Sequence, residues 1–139
     1  MTTYTFPGRY DSLEQIAAIV RQAAQDAGLS SFAVYSVETA VDEACSNIIE
    51  HAYGGEDLGP IECTLEITTK GLTIILRDHG QPFNPTHVKK PNRNSPLSER
   101  EAGGWGLYIM QQWMDDISFH FEDGANVLIM RKHKEQQSE

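Results

Sequence analysis

The chain has 139 residues, 40% of them apolar and 22% charged, with a formal net charge of −9. That length suits one domain with its own core and is short for two, and the composition is that of a globular protein in water. The acidic balance disfavours direct binding to nucleic acid, whose backbone carries the same sign.

Two further classes are set aside on pattern. No apolar run approaches the roughly 18 residues that a membrane span requires. The opening Met1-Thr2-Thr3-Tyr4 lacks the basic-then-apolar order of a secretory signal, so a cytoplasmic location is expected. Cys45 and Cys63 are too few and too far apart for a zinc site, and read as buried thiols.

In chain order, Thr3 to Phe6 alternates polar and aromatic residues as a short strand does, ending at Pro7-Gly8. Ser12 is positioned to cap a helix whose apolar residues Leu13, Ile16, Val20 and Ala24 keep helical spacing, with Gly28 closing it. Beyond a linker at Ser30-Ser31, a second helix places Val37, Val41, Ala44, Cys45, Ile48 and Ala52 on one face and ends at Tyr53-Gly54-Gly55. Its other side carries Glu43, Asn47 and Glu50 on one stripe. Ile61 to Thr68 and Leu72 to Arg77 read as a hairpin turning at Lys70-Gly71. A polar, proline-containing stretch follows, long enough to be a lid at about 84–102. A third helix covers Leu107, Ile109, Met110, Trp113 and Met114, and strands at Ile117–Phe121 and Asn126–Met130 turn at Asp123-Gly124.

This order predicts an α/β protein: a two-layer α/β sandwich with a mixed, mostly antiparallel sheet and helices on one face. It forms a single domain over residues 1–134, with a polar tail at 135–139.

Three stretches carry chemistry. Asp78 ends a strand, and a buried carboxylate there needs donors such as an adenine amine; Gly80, without a Cβ, would let a flat ring approach the backbone. Gly103, Gly104 and Gly106 precede a helix, where converging amides and the helix dipole suit an anion. No Lys-Ser or Lys-Thr follows them, which excludes a P-loop. Asn47 offers an amide oxygen suited to Mg²⁺, and Glu43 a carboxylate that can take a proton from an attacking hydroxyl. A solvated helix face is the ordinary reading of such a pair, and the two later stretches argue against it.

In order, Glu43-x-x-x-Asn47 with His51-Ala52-Tyr53, Asp78-x-Gly80-x-Pro82 and Gly103-Gly104-Trp105-Gly106-Leu107 resemble the N, G1 and G2 boxes of the GHKL (Bergerat-fold) ATPases. More narrowly, Glu-Ala-Cys-Ser-Asn with Glu-His-Ala-Tyr, and Pro82, resemble the branch of anti-sigma-factor serine/threonine protein kinases. The resemblance implies a Bergerat, histidine-kinase-like ATPase fold and the use of ATP and Mg²⁺. It implies Glu43 as general base, Asn47 as Mg²⁺ ligand, Asp78 and Gly80 at the adenine, and Gly103, Gly104, Gly106 and Leu107 at the phosphates. It also implies a homodimer that binds a sigma factor and phosphorylates a small antagonist protein. Two other functions fit the boxes less closely: a non-catalytic module whose grip on a partner follows ATP, and a detached catalytic domain of a histidine kinase. Pro82 and the lack of a phospho-accepting helical pair argue against the latter.

Overall fold

A computed structural model describes residues 1–82 and 110–135. The expected lid, and with it Gly103, Gly104, Gly106 and Leu107, lies outside the described residues. The elements are β1 (Thr2–Pro7), α1 (Asp11–Asp26), α2 (Ser31–Asn47), β2 (Pro60–Ile67), β3 (Gly71–Asp78), β4 (Asp116–Glu122) and β5 (Ala125–His133). Between α2 and β2 the helix does not stop at Asn47 but widens into a π-helical turn over Ile48–Tyr53. Residues 110–113 are helical ahead of β4.

Among the described residues the strands form one sheet in the order β1-β2-β3-β5-β4 with all four pairings antiparallel, which bears out the antiparallel α/β arrangement expected from the sequence and shows no parallel pair in it. Two helices, α1 and α2, separate β1 from β2, and the chain returns antiparallel to the strand it left. Because β3 and β4 both oppose β5, they run parallel to each other. With β5 inserted between them, no parallel ladder forms.

Alternation along the strands puts Ile61, Cys63, Leu65, Leu72, Ile74, Leu76, Leu128 and Met130 on one face of the sheet. There they join Ile16, Val20, Val37, Val41 and Cys45 from the helices in a single core. Residues of alternating strand positions thus meet residues at helical spacing, which makes two layers. Both cysteines are buried free thiols, and burial pushes the Cys63 thiol up to about 12.

Local signals hold in most places. Gly28 and Gly54 adopt left-handed φ of 81° and 80° after α1 and after the widened turn. Asp123 and Gly124, at φ 53° and 75°, make the tight hairpin turn that needs two positive φ values. Two expectations fail. Ser12 does not cap α1: the helix begins one residue earlier, and the buried Ser12 hydroxyl donates instead to the Pro7 carbonyl at 2.7 Å. Ser30 belongs to the second helix rather than to a linker, its hydroxyl accepting from Ala33 N at 3.2 Å as N-cap.

Candidate functional site

The end of α2, the widened turn, β4 and the ends of β3 and β5 line an open recess. Its walls include Ala44, Ile48, Ala52, Met110, Phe119 and Leu128, and its polar groups include Asn47, Asp78 and Asn126. A mainly apolar recess with a few converging polar groups is the usual form of a small-molecule site. The fold thus brings Asn47 and Asp78, 31 positions apart in the chain, onto one surface.

Asp78 is the most constrained of these residues. Its carboxylate, 3% exposed, accepts at Oδ1 from Gly80 N and from Asn126 Nδ2, each at 2.9 Å. Among the described residues nothing donates to Oδ2. Burial raises the carboxyl above its ordinary range, while the Asn126 and Gly80 hydrogen bonds and the charge of His79 oppose the rise. A buried oxygen in this condition calls for a donor from a ligand.

The turn after Asp78 is gripped from several sides. Gln81 N donates to the Ala52 carbonyl at 2.8 Å, and Asn126 Nδ2 donates to the Gln81 carbonyl at 2.8 Å. His79 N donates at 2.9 Å to the Tyr53 hydroxyl, which itself donates to the Pro60 carbonyl at 2.6 Å. The Tyr53 ring occupies the space beside Gly59, where an added Cβ would lie 2.4 Å from the ring. Neither the Asn126 contacts nor this role of Tyr53 was anticipated from the sequence.

Gly80 is required by the helix end packed against it. A Cβ there would lie 2.5 Å from both the carbonyl carbon and the oxygen of Ala52, so the helix end approaches the backbone closely. Because that carbonyl is held by Gln81 N, it cannot retreat. Gly80→Ala is therefore expected to cost about 2 kcal/mol and lower Tm by roughly 5 °C, which thermal unfolding would measure.

Glu43 lies one helical turn before Asn47, a separation of about 6 Å between Cβ atoms, but it is not among the residues lining the recess. It is half-buried, and burial raises its carboxyl, with the charges of Asp42 and Glu50 adding to the rise. Glu50 is exposed and accepts from the Tyr10 hydroxyl at 2.9 Å, while its charge still reaches Glu43. His51 is exposed too, 3.8 Å from Glu50 Oε2.

Among the described residues no group of three or more His, Cys, Asp and Glu is placed to hold a metal. A cation at Asn47 would draw its remaining ligands from a bound phosphate and from water. Mg²⁺ commonly binds in this way, with few protein ligands and several waters, so the donor set fits Mg²⁺ arriving with a nucleotide.

Comparison with known proteins agrees with the geometry. Residues 6–132 match the family model described as the histidine kinase-like ATPase domain. The serine-protein kinase RsbW of Bacillus cereus is 32% identical over 133 residues, covering 91% of this chain and 82% of that protein. The serine/threonine-protein kinase BtrW of Bordetella bronchiseptica is 29% identical over 104 residues, covering 75% and 73% respectively. A crystal structure of the RsbU and RsbW domains of a Mycobacterium tuberculosis protein superimposes with a TM-score of 0.61. It is 12% identical and covers 96% of this chain and 33% of that one, a likeness of fold.

Proposed function

The chain belongs to the histidine kinase-like ATPase family, and from that premise we propose that it is an ATP-dependent serine/threonine protein kinase. The observation that carries this reading is the shared recess, where Asn47 of α2 and Asp78, whose Oδ2 has no donor among the described residues, line one pocket beside Glu43.

Asp78 Oδ2 accepts the adenine amine, and the apolar walls hold the ring. The Asn47 amide oxygen faces the phosphates and is the protein ligand for Mg²⁺. When bound, Mg²⁺ supplies neutralisation of phosphate charge. Gly103, Gly104, Gly106 and Leu107 form the phosphate-binding segment. Glu43 takes the proton of a serine or threonine hydroxyl as its oxygen bonds to the γ-phosphorus and the bond to the bridging oxygen breaks. The products are ADP and a phosphorylated protein, and the proton passes from Glu43 to solvent. The raised carboxyl of Glu43 makes it a stronger base than an ordinary surface glutamate.

The substrate is a small antagonist protein, and the kinase also binds a sigma factor as an anti-sigma factor, releasing or trapping it as the antagonist changes state. It acts as a homodimer in the cytoplasm, without direct contact to nucleic acid or membrane. Support comes from the sequence boxes, the acidic surface and the kinase names of the relatives.

The test is to incubate the purified chain with γ-labelled Mg-ATP and candidate antagonists. Label on a serine or threonine, with equivalent ADP, is the expected result. An antagonist retained in an ATP-dependent complex without change of mass would overturn the kinase reading in favour of a binding module.

A further inference from the structure

We propose that the outer face of the first turns of α2, with the end of β5 beside it, is a docking surface for an acidic amphipathic segment of a partner protein. Three rings seat its apolar side chains, and Lys70 and Lys134 take its carboxylates. The surface lies at the opposite end of the sheet from the recess, since β3 runs 8 residues from Gly71 to Asp78, roughly 25 Å. It does not depend on the nucleotide-binding reading.

α2 buries Ala33, Val34, Val37, Ala40 and Val41, whereas Phe32 and Tyr35, one turn apart, stay 64% and 56% exposed. Both rings meet Trp113, at the end of the helical residues 110–113, with centroids 6.0 Å and 5.8 Å from its own. The three make one aromatic patch. Single exposed apolar side chains are ordinary on a protein surface, whereas a contiguous patch marks an interaction site, and Trp and Tyr are the residue types that anchor one.

Charge beside the patch selects the partner. Arg9, Arg21, Arg77, Arg131 and Lys132 each have a carboxylate within 4.0 Å. Lys70 and Lys134, the other described lysines and arginines, have none among the described residues. Lys134 N donates to the Lys70 carbonyl at 2.9 Å, which continues the β3–β5 register past Gly71 and His133 and sets the two lysines opposite one another. Like charges so placed destabilise a sheet, and carboxylates from outside relieve them. Glu135 lines the same cleft and offsets only one of the two charges. Rings and cations share one surface: Ser30, two residues before Phe32, lines the cleft with both lysines, and Lys132 Nζ donates to the Trp113 carbonyl at 2.7 Å. On a chain of net charge −9, an acidic segment is repelled elsewhere and drawn here, which orients the partner.

The experiment measures, by fluorescence anisotropy, binding of the full chain to a labelled synthetic peptide with Leu and Phe on one side of a helix and Asp and Glu on the other. Two analogues are compared with it, one with every acid replaced by Lys and one with every apolar residue replaced by Ser. The wild type is expected to bind the acidic amphipathic peptide about 10-fold more tightly than either analogue, and less tightly as salt is added. Lys70→Glu with Lys134→Glu is expected to weaken that binding by roughly 10-fold or more, and so is Phe32→Ala with Tyr35→Ala. All four side chains are exposed, so both variants are expected to keep the wild-type Tm and affinity for Mg-ATP.

The inference is overturned if the acidic amphipathic peptide does not bind, if the Lys-substituted analogue binds as tightly, or if either pair of substitutions leaves the affinity unchanged. Sedimentation of the chain alone adds a further arm. Self-association that Phe32→Ala with Tyr35→Ala abolishes would make the occupant a second copy of the chain, and would overturn the proposal too.

Discussion

Replacing Asp78 by Asn is expected to weaken ATP binding by roughly 100-fold, about 3 kcal/mol, without loss of the fold. Asparagine has nearly the same shape, and its carbonyl oxygen can take over the role of Oδ1 toward Gly80 N and Asn126 Nδ2. That orientation puts an NH₂ where Oδ2 stood, so the amine of the base meets a donor instead of an acceptor.

Stability should move the other way. Burial raises the Asp78 carboxyl, so the folded chain holds this proton more tightly than the unfolded chain does. The stability linked to that proton is complete below the ordinary aspartate value and is lost as pH rises through the raised one. At neutral pH the ionised Asp78 is therefore a cost, which Asp78→Asn removes. Relative to wild type, the variant is expected to gain in Tm at pH 7 and to gain less at pH 4. Calorimetric titration with Mg-ATP and thermal melts at the two pH values check both halves. Undiminished ATP affinity would remove Asp78 from the base-binding site.

Glu43→Gln should separate binding from chemistry. The substitution removes basicity but keeps the volume, and Glu43 does not line the recess, so ATP affinity should remain close to that of the wild type. Phosphoryl transfer should fall by about 10²- to 10⁴-fold, the usual contribution of a general base. The pH profile adds a second check. Burial and the neighbouring Asp42 and Glu50 raise the Glu43 carboxyl, so the acidic limb of the wild-type rate profile should lie above the ordinary glutamate range. Below that limb Glu43 carries a proton and cannot accept one. Single-turnover transfer across pH 4.5–8 would show the limb in wild type and its disappearance in the variant. If transfer survives in Glu43→Gln, the base is another residue.

The parts of the fold that were legible in the sequence are those with short-range causes. The turn signals Lys70-Gly71 and Asp123-Gly124 marked two hairpins, and alternation from Ile61 to Ile67 set which side chains enter the core. The sequence does not encode locally which strand lies beside β3, because that contact joins residues 48 positions apart. The Asp78–Asn126 pair was missed for this reason. One signal was available: in Asn126-Val127-Leu128-Ile129-Met130 a lone amide occupies a position that alternation assigns to the apolar face. A buried polar residue on such a face is usually tied to another.

The candidate site divides along similar lines. Asn47 and Asp78 were identified from their motifs, and the fold places them on one recess. At Gly80 a missing Cβ says that something comes close without saying what does, and the neighbour that the fold supplies is the Ala52 carbonyl. The stripe of Glu43, Asn47 and Glu50 assumed a regular helix through Tyr53. The turn after Asn47 is wider than that, and Glu50 accepts from Tyr10 while its charge still reaches Glu43.

That widened turn limits how the chain can change length. In an ordinary helix each carbonyl is reached by the amide four residues on, whereas a π turn spans five and so accommodates a residue that a tighter coil would not. Deleting any one residue between Ile48 and Tyr53 would rewind the coil and swing the rest of the segment by about 100°. Tyr53 would no longer reach both His79 and Pro60, nor would Ala52 meet Gln81. Over these six positions a change of residue type is more easily absorbed than a change of count, since the spacing itself keeps the helix end joined to the strand end.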